Sequence, residues 1–440
     1  MSHRLSIHNF GPIKDCQCKI DQFTIFTGPQ SSGKSTVAKA IFFFRTIKTD
    51  ILELLKQGSP KIITDSNTAT WNYAIQQRLR NKFLELFGTS WIMPVDMQLE
   101  YRYSDHANIK VYLEPDYDDR NFVRFAFSQD ILDYISELEN RSFLNMMPGQ
   151  LQTEEKQLCK LFDDPYETVF IPAGRNLITL LSTQLNYIFT SLEGSQLRNI
   201  DFITKRYIEL ILKLKPLFSD GIKGLMKAAV DQPDQLKKIK PNKAAINRLI
   251  ARSEKILRGY YRYVEGEERV YLDSRKYIKI NFSSSGQQEI VWVINLLFYY
   301  LFENKRVFLI IEEPESHLFP DSQQSIGELL SLFAACKNQV LVTTHSPYLL
   351  GTFNYLLLAS QAGSFASETA KEQVDKGYWL LADKAAAYFI HDGEMNPAMD
   401  VEDNICLIKN ELIDGASREI NGKSEALLEL LYQEAADGHQ

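Results

Sequence analysis

Cysteine is scarce in this 440-residue chain: Cys16, Cys18, Cys159, Cys336 and Cys406 are all it has. Only Cys16 and Cys18 stand close together, and a C-x-C pair on a strand is poorly placed to share one metal. No zinc-ligand spacing and no disulfide framework emerge, which suits a reducing compartment. Excess positive charge is also missing. The net charge is -7 and the pI ≈ 5.7, so the chain as a whole lacks the electrostatic footprint of a nucleic-acid binder. Long apolar runs are absent. The most apolar stretch, Ile290 to Phe302, is too short to span a bilayer and contains Asn295. The start, Met1-Ser-His-Arg-Leu-Ser-Ile7, has no signal-peptide core, so a cytoplasmic protein without a membrane partner is expected. No internal repeat is visible. What is left is an ordinary globular composition, 45% hydrophobic and 24% charged. The length suits two or three compact units at ~100–200 residues each.

One stretch organises the rest. Gly28-Pro-Gln-Ser31-Ser32-Gly33-Lys34-Ser35-Thr36 fits G-x-x-x-x-G-K-[ST], the phosphate-cradling P-loop. Phe23 to Thr27 before it reads as a strand and Val37 to Phe44 after it as a helix, the context the motif requires. Gly28 and Gly33 let backbone N–H groups turn inward, around Ser31 and Ser32, and the helix N-terminus adds positive potential. Lys34 would reach the β- and γ-phosphates of ATP, and Ser35, backed by Thr36, would offer its hydroxyl to Mg²⁺.

Around this loop the pattern alternates. Arg4 to Ile7 and Cys16 to Ile20 read as strands about the turn Asn9 to Pro12. Asp50 to Gln57, Asn72 to Leu86, Ile131 to Leu144 and Glu154 to Phe162 read as helices. Met97 to Tyr103, Ile109 to Glu114 and Phe122 to Phe127 predict an antiparallel sheet beside the nucleotide core. Thr168 to Ile171 predicts a buried strand ending in Pro172-Ala-Gly174-Arg175, where Arg175 is either part of a functional loop or a surface arginine. From Leu177 to about Tyr263 the pattern is helical and basic. Between Arg198 and Lys279 roughly twenty Lys/Arg face about ten Asp/Glu. The densest part is Lys237-Lys238-Ile-Lys240-Pro-Asn-Lys243, followed by Arg248, Arg252, Lys255, Arg258 and Arg262. It reads as a solvated face or as a contact for DNA, RNA or an acidic protein. Val270 to Asp273 and Tyr277 to Phe282 predict a hairpin. Beyond His345, Gln361 to Glu372 reads as a loop, Tyr378 to Leu381 and Ala386 to Ile390 as edge strands, Asp400 to Ile420 as an acidic amphipathic stretch, and Leu427 to Leu431 as a closing helix.

Three further segments carry chemistry. The strand Arg306 to Ile311 ends in Glu312-Glu313-Pro-Glu-Ser-His-Leu-Phe-Pro320, the form of a Walker B. Glu312 is expected to support Mg²⁺ and Glu313 to act as general base on water. His345 ends the next strand, Gln339 to Thr344, and is placed to hydrogen-bond a γ-phosphate or that water. Ser284-Ser285-Gly286-Gln287 opens a helix whose N–H groups and Ser284 hydroxyl could cap a phosphate. Gly28 to Ser35 already hold this chain's own phosphates, so the second anion site best serves another protomer's nucleotide.

The set Gly28 to Thr36, Ser283 to Glu289, Leu309 to Pro320 and Thr343 to Pro347 resembles the ABC-type ATPases of the SMC and OLD (overcoming-lysogenization-defect) kind. Glu at the Walker B position is common in the OLD-type group, whereas Ser285 stands where many ABC proteins have Gly. The resemblance implies an α/β P-loop NTPase fold of ABC type, with an antiparallel side sheet and a mostly helical insertion. It divides the chain into an N-terminal ATPase lobe, 1–175, a basic helical insertion, 176–265, and a C-terminal lobe with an acidic tail, 266–440. It implies ATP and Mg²⁺ as cofactors, and a head-to-tail homodimer or higher oligomer with two ATPs trapped between P-loop and signature. It further implies a role as sensor or regulatory subunit of an anti-phage defence system, controlling a separate nuclease or toxin effector. OLD proteins carry a fused TOPRIM nuclease, but no Glu-Gly strand motif precedes the acidic Asp400 to Asp403 here. An SMC-like ATPase acting directly on DNA is the competing expectation.

Overall fold

In the computed structural model the described residues are 3–58, 63–64, 67–68, 70–115, 121–139, 148–179, 201–230, 240–409, 411–413, 415 and 423. The strands are β1 (His3–Phe10), β2 (Ile13–Ile20), β3 (Phe23–Thr27), β4 (Ile63–Thr64), β5 (Asn67–Thr68), β6 (Gln98–Arg102), β7 (Asn108–Pro115), β8 (Asn121–Phe127) and β9 (Glu167–Ile171). They continue with β10 (Tyr260–Val264), β11 (Glu267–Tyr271), β12 (Tyr277–Lys279), β13 (Val307–Glu312), β14 (Gln339–Thr344), β15 (Ala385–His391), β16 (Glu394–Pro397), β17 (Met399–Glu402) and β18 (Ile405–Ile408).

Eleven strands form one sheet in the order β8-β7-β6-β1-β2-β16-β15-β3-β14-β13-β9. Strands β15, β3, β14, β13 and β9 are mutually parallel. The sequence explains this half. Val307-Phe-Leu-Ile-Ile-Glu312 is buried at every position, as a strand covered on both faces must be. Successive residues serve opposite cores. Leu309 and Ile311 pack with the helix Ser285–Phe302, while Phe308 and Ile310 pack with the P-loop helix Lys34–Arg45. The antiparallel half, β8-β7-β6-β1-β2, alternates buried and accessible positions instead. The expected α/β P-loop architecture with an antiparallel side sheet is therefore what the chain adopts.

Several expectations need correction. Tyr260–Val264 is strand β10 of a three-stranded sheet with β11 and β12, where helix was expected; its run of Tyr and Val favours the pleated surface. Gln361 to Glu372 is not a loop. The helix Pro347–Ala362 enters it, and a short helix, Ser367–Gln373, occupies most of the rest. Of the two expected edge strands only β15 exists, and it lies inside the sheet between β3 and β16; Lys376–Tyr378 is a 3₁₀ turn. Asp400, at the start of the expected acidic stretch, lies in the β17–β18 hairpin. Cys16 and Cys18, two apart on β2, share one face as strand geometry dictates, and both are buried. Lys237, Lys238 and Leu427 to Leu431 lie outside the described residues. No helix among the described residues is long and apolar enough to cross a membrane.

The far end of the P-loop helix is fixed by buried charge. Arg45 donates to Asp164 at 3.0 Å, to Gln339 at 2.8 Å and to His3 Nδ1 at 2.7 Å, and Lys48 pairs with Asp164 at 2.9 Å. Burial, and then the Arg45 guanidinium, push the His3 pKa down to about 3. The folded protein thus keeps His3 neutral at pH values where the unfolded chain, with a pKa near 6.5, takes up a proton. Stability should be at its full value above pH 6.5 and fall as the pH drops towards 3. The loss from this group is at most about 2 kcal/mol between pH 6.5 and 5. Urea unfolding at both pH values should show a shallower loss for His3→Gln than for the wild type; equal losses would remove His3 from the account.

Candidate functional site

Ladder register assembles the site. Thr27 pairs with Thr344, and Thr343 pairs with Glu312. The next residues, Gly28, His345 and Glu313, therefore leave the sheet together at the carboxyl ends of parallel strands, where ligands bind in such sheets. The amide of Glu313 donates to Thr343 O at 2.9 Å and extends the ladder by one bond.

The loop after β3 has no room for side chains where it turns. Gly28 has φ 143, and a Cβ there would lie 2.1 Å from Ile390 O of β15. Gly33 caps the helix Lys34–Arg45 with no side-chain hydrogen bond, and no acidic residue occupies the first turn. The N–H groups of that turn are thus left for an anion. Lys34 is only 5% exposed. Its ammonium donates to Gly28 O at 3.0 Å and Pro29 O at 2.7 Å and lies 3.4 Å from Ser32 Oγ. Burial lowers its pKa, opposed by Glu313, Glu315 and Glu312. Ser31 has φ 61, and Ser35 is exposed at the helix start.

Lys34 Nζ lies 3.5 Å from His345 Nδ1, and His345 Nε2 lies 3.4 Å from Glu313 Oε1. The imidazole ring thus stands between the Lys34 ammonium and the Glu313 carboxylate. Glu313 also accepts from Ser316 Oγ at 3.3 Å and holds the left-handed φ of 43. Glu312 is buried. Its Oε2 accepts from Ala173 N at 3.3 Å, and its Oε1 has no hydrogen-bond partner. An orphaned buried carboxylate oxygen, an exposed Ser35 hydroxyl and an uncapped helix N-terminus fit a divalent cation bound together with phosphate oxygens. Among the described residues no group of three or more His, Cys, Asp or Glu side chains could hold a metal. A cation here would therefore depend on the nucleotide for ligands.

Two buried residues hold the backbone of the site, Glu315, unassigned from sequence, and Arg175, which the sequence left between two readings. Glu315 is buried; its Oε1 accepts from Thr344 Oγ1 at 2.6 Å and from His345 N at 2.9 Å, fixing the backbone from which His345 projects. Arg175 is no surface arginine. It is 0% exposed and lies beneath the Glu312–Glu313 turn, donating to Glu312 O at 2.6 Å, Glu313 O at 2.8 Å and Pro172 O at 2.8 Å. A lone arginine after a Pro/Gly turn carries no signal of that depth.

Ser284, Gly286 and Gln287 form the start of another helix. Ser284 Oγ accepts from Gln287 N at 3.3 Å and Gln287 Oε1 accepts from Ser284 N at 3.1 Å, a closed capping box. Gln287 Nε2 donates to Leu257 O at 2.7 Å. A Cβ on Gly286 would lie 2.7 Å from His317 O, so glycine lets this helix abut the turn after Glu313. In the hydrogen bonds of the described residues these three do not meet Gly28 to Thr36. Ser285, unassigned from sequence, is exposed at the first helical position.

A family model described as "AAA ATPase domain" matches residues 1–350. Comparison with curated proteins finds no match. Among solved structures, the SMC head bound to the C-winged helix domain of ScpA shares 13% identity, over 94% of this chain and 99% of that one, at a TM-score of 0.39. The SMC head domain from Thermotoga maritima shares 13%, over 90% and 97%, at 0.34. An Smc head domain with an extended coiled coil, bound to the C-terminal domain of ScpA derived from Pyrococcus furiosus, shares 14%, over 96% and 99%, at 0.38.

Replacing Glu315 by Ala would leave the Thr344 hydroxyl and His345 N–H without their acceptor. A stability loss of about 1–3 kcal/mol is expected in urea titrations. A loss under about 0.5 kcal/mol, the usual surface value, would show that Glu315 does not fix this turn.

Proposed function

Because the chain belongs to the AAA ATPase domain family, we propose that it binds ATP with Mg²⁺ at Gly28 to Thr36 and hydrolyses it to ADP and phosphate between two paired copies. The observation that carries this reading is the contact series from Lys34 through His345 to Glu313 at the sheet's carboxyl edge. Lys34 and the N–H groups of Ser31 to Thr36 hold the phosphates. Ser35 and Glu312 would hold the cation, whose charge favours attack by offsetting that of the phosphates. Glu313 takes the proton from the attacking water, and His345 orients that water or the γ-phosphate through Nε2.

Pairing is supported by the second anion-competent helix start. Ser284, Gly286 and Gln287 would cap the partner's nucleotide. Large apolar side chains stand exposed beside the motifs: Phe282 at 81% just before Ser284, and Phe319 at 72% in the turn after Glu313. A second copy would cover them.

The output we propose is control of a separate effector protein, a nuclease or toxin, by a cytoplasmic sensor subunit of the anti-phage type; the Glu312 to Pro320 and Thr343 to Pro347 runs support it through their OLD-like form. Direct action on DNA is the alternative, motivated by the basic insertion. Part of that charge is engaged internally among the described residues: Lys215 pairs with Glu268, Arg248 with Asp375, Arg252 with Glu328 and Arg262 with Asp220.

Glu313→Gln should retain ATP binding, lower turnover by about 10²–10⁴-fold and accumulate ATP-loaded pairs, read by phosphate release and light scattering. Unchanged turnover would remove Glu313 as the base. Full turnover by monomers with Ser284 and Gly286 disrupted would remove pairing.

A further inference from the structure

Arg175 touches more than the Walker B strand end. Its Nε lies 3.0 Å from Glu289 Oε2 and donates to Glu289 O at 3.3 Å. The 3.0 Å contact is an ion pair without in-line hydrogen-bond geometry, because Oε2 has no hydrogen-bond partner. Glu289 Oε1 accepts from Asn176 N at 3.1 Å, and Thr179 Oγ1 donates to Gln288 O at 2.9 Å. Glu289 sits one turn into the helix that begins at Ser284 and Ser285. One planar guanidinium therefore joins the signature helix, one turn from its start, to the carbonyls of Glu312 and Glu313.

The chemistry makes this joint stiff. Five N–H donors lie in one fixed plane, and three face different segments. The pair is fully buried, so neither ion can turn to water when the other moves. Glu313 is held at a φ that L-residues rarely adopt, a state that persists only while its surroundings impose it. The Arg175 bonds to the Glu312 and Glu313 carbonyls are part of that imposition.

We propose that Arg175 and Glu289 are positioning residues for hydrolysis, transmitting occupation of a chain's own signature helix to Glu312 and Glu313 of the same chain. In a paired assembly the signature of one copy faces its partner's ATP. Each site then reports its occupancy to the other, and a copy whose signature is empty holds its own carboxylates out of position. The proposal rests on the paired-ATPase reading above.

The test uses Glu289→Gln and Arg175→Lys in the full chain. Expected are an ATP Kd within about twofold of wild type, ATP-driven pairing retained, and kcat lowered at least about tenfold. A purely structural role would lower the melting temperature and leave kcat per folded chain unchanged, and that result overturns the proposal. If neither variant folds, mixed pairs of wild type with Lys34→Ala decide, with the native Arg175–Glu289 pair intact. Here one site is empty. Turnover per isolated pair well below half that of wild-type pairs is expected, and half the wild-type rate overturns the coupling. Pairing of Glu313→Gln on ATP separates the failures: pairing without coupling sinks this inference alone, and absence of pairing sinks the reading beneath it.

Discussion

A buried guanidinium holds the acidic strand end of this protein in place. Arg175 lies under the turn where β13 leaves the sheet and donates to the carbonyls of both Glu312 and Glu313. Without it, the carbonyls of Pro172, Glu289, Glu312 and Glu313 and the Glu289 carboxylate would be buried with lost partners. Removing one member of such a pair costs about 3–5 kcal/mol, because the other stays charged and dry. The placement of the two carboxylates is thus tied to overall stability.

The same arrangement explains why the sheet must be mixed. The parallel half brings Gly28, His345 and Glu313 out at one edge, a placement fixed by register rather than by side-chain choice. The antiparallel half and β16 close on the other side of β15, whose Ile390 carbonyl lies against Gly28. Behind the site, the helix Ser285–Phe302 is joined to the insertion by a second buried ionic knot. Glu268 accepts from Trp292 Nε1 at 2.8 Å and Tyr261 at 2.9 Å, and pairs with Lys215 at 2.7 Å. Glu289 and Trp292 lie three residues apart on that helix. Lys215 and Tyr261, through Glu268, and the Glu312–Glu313 turn, through Arg175, thus grip the same turn of one helix.

Legibility in the sequence followed the range of the interactions. Gly28 to Thr36 and the apolar strand before Glu312 announce themselves locally, through turn glycines and an unbroken hydrophobic run. The antiparallel strands were readable because β7 alternates accessible and buried positions from Asn108 to Glu114. β10 was not, since basic residues at near-helical spacing on either side of it hid a short Tyr/Val strand. β15 was misplaced at an edge because its interior position depends on pairing with β3, more than 350 residues earlier in the chain, as the numbering shows. Glu315 was missed, and Arg175 was left open between functional loop and surface, for the same reason: each acts on backbone groups more than 25 positions away. Ser284 and Gln287 were found, but their engagement with each other was not, since a capping box and a phosphate clamp need the same residue types.

That ambiguity bears on how a single chain would wait for its partner. In the isolated chain the Ser284 hydroxyl and the Gln287 side chain satisfy the helix's own first turn. Opening such a cap costs about 1 kcal/mol. Hydrogen bonds to a charged group are worth about 1.5–3 kcal/mol each, so on the proposed reading a nucleotide phosphate from a second copy would outcompete the internal cap, whereas neutral contacts would not. The exchange acts on the first turn of the helix, and Glu289, in contact with the Arg175 guanidinium, follows one turn later. On the proposed reading a closed capping box marks an unpaired chain. The phosphate of a partner's ATP is then the ligand whose charge suffices to open it.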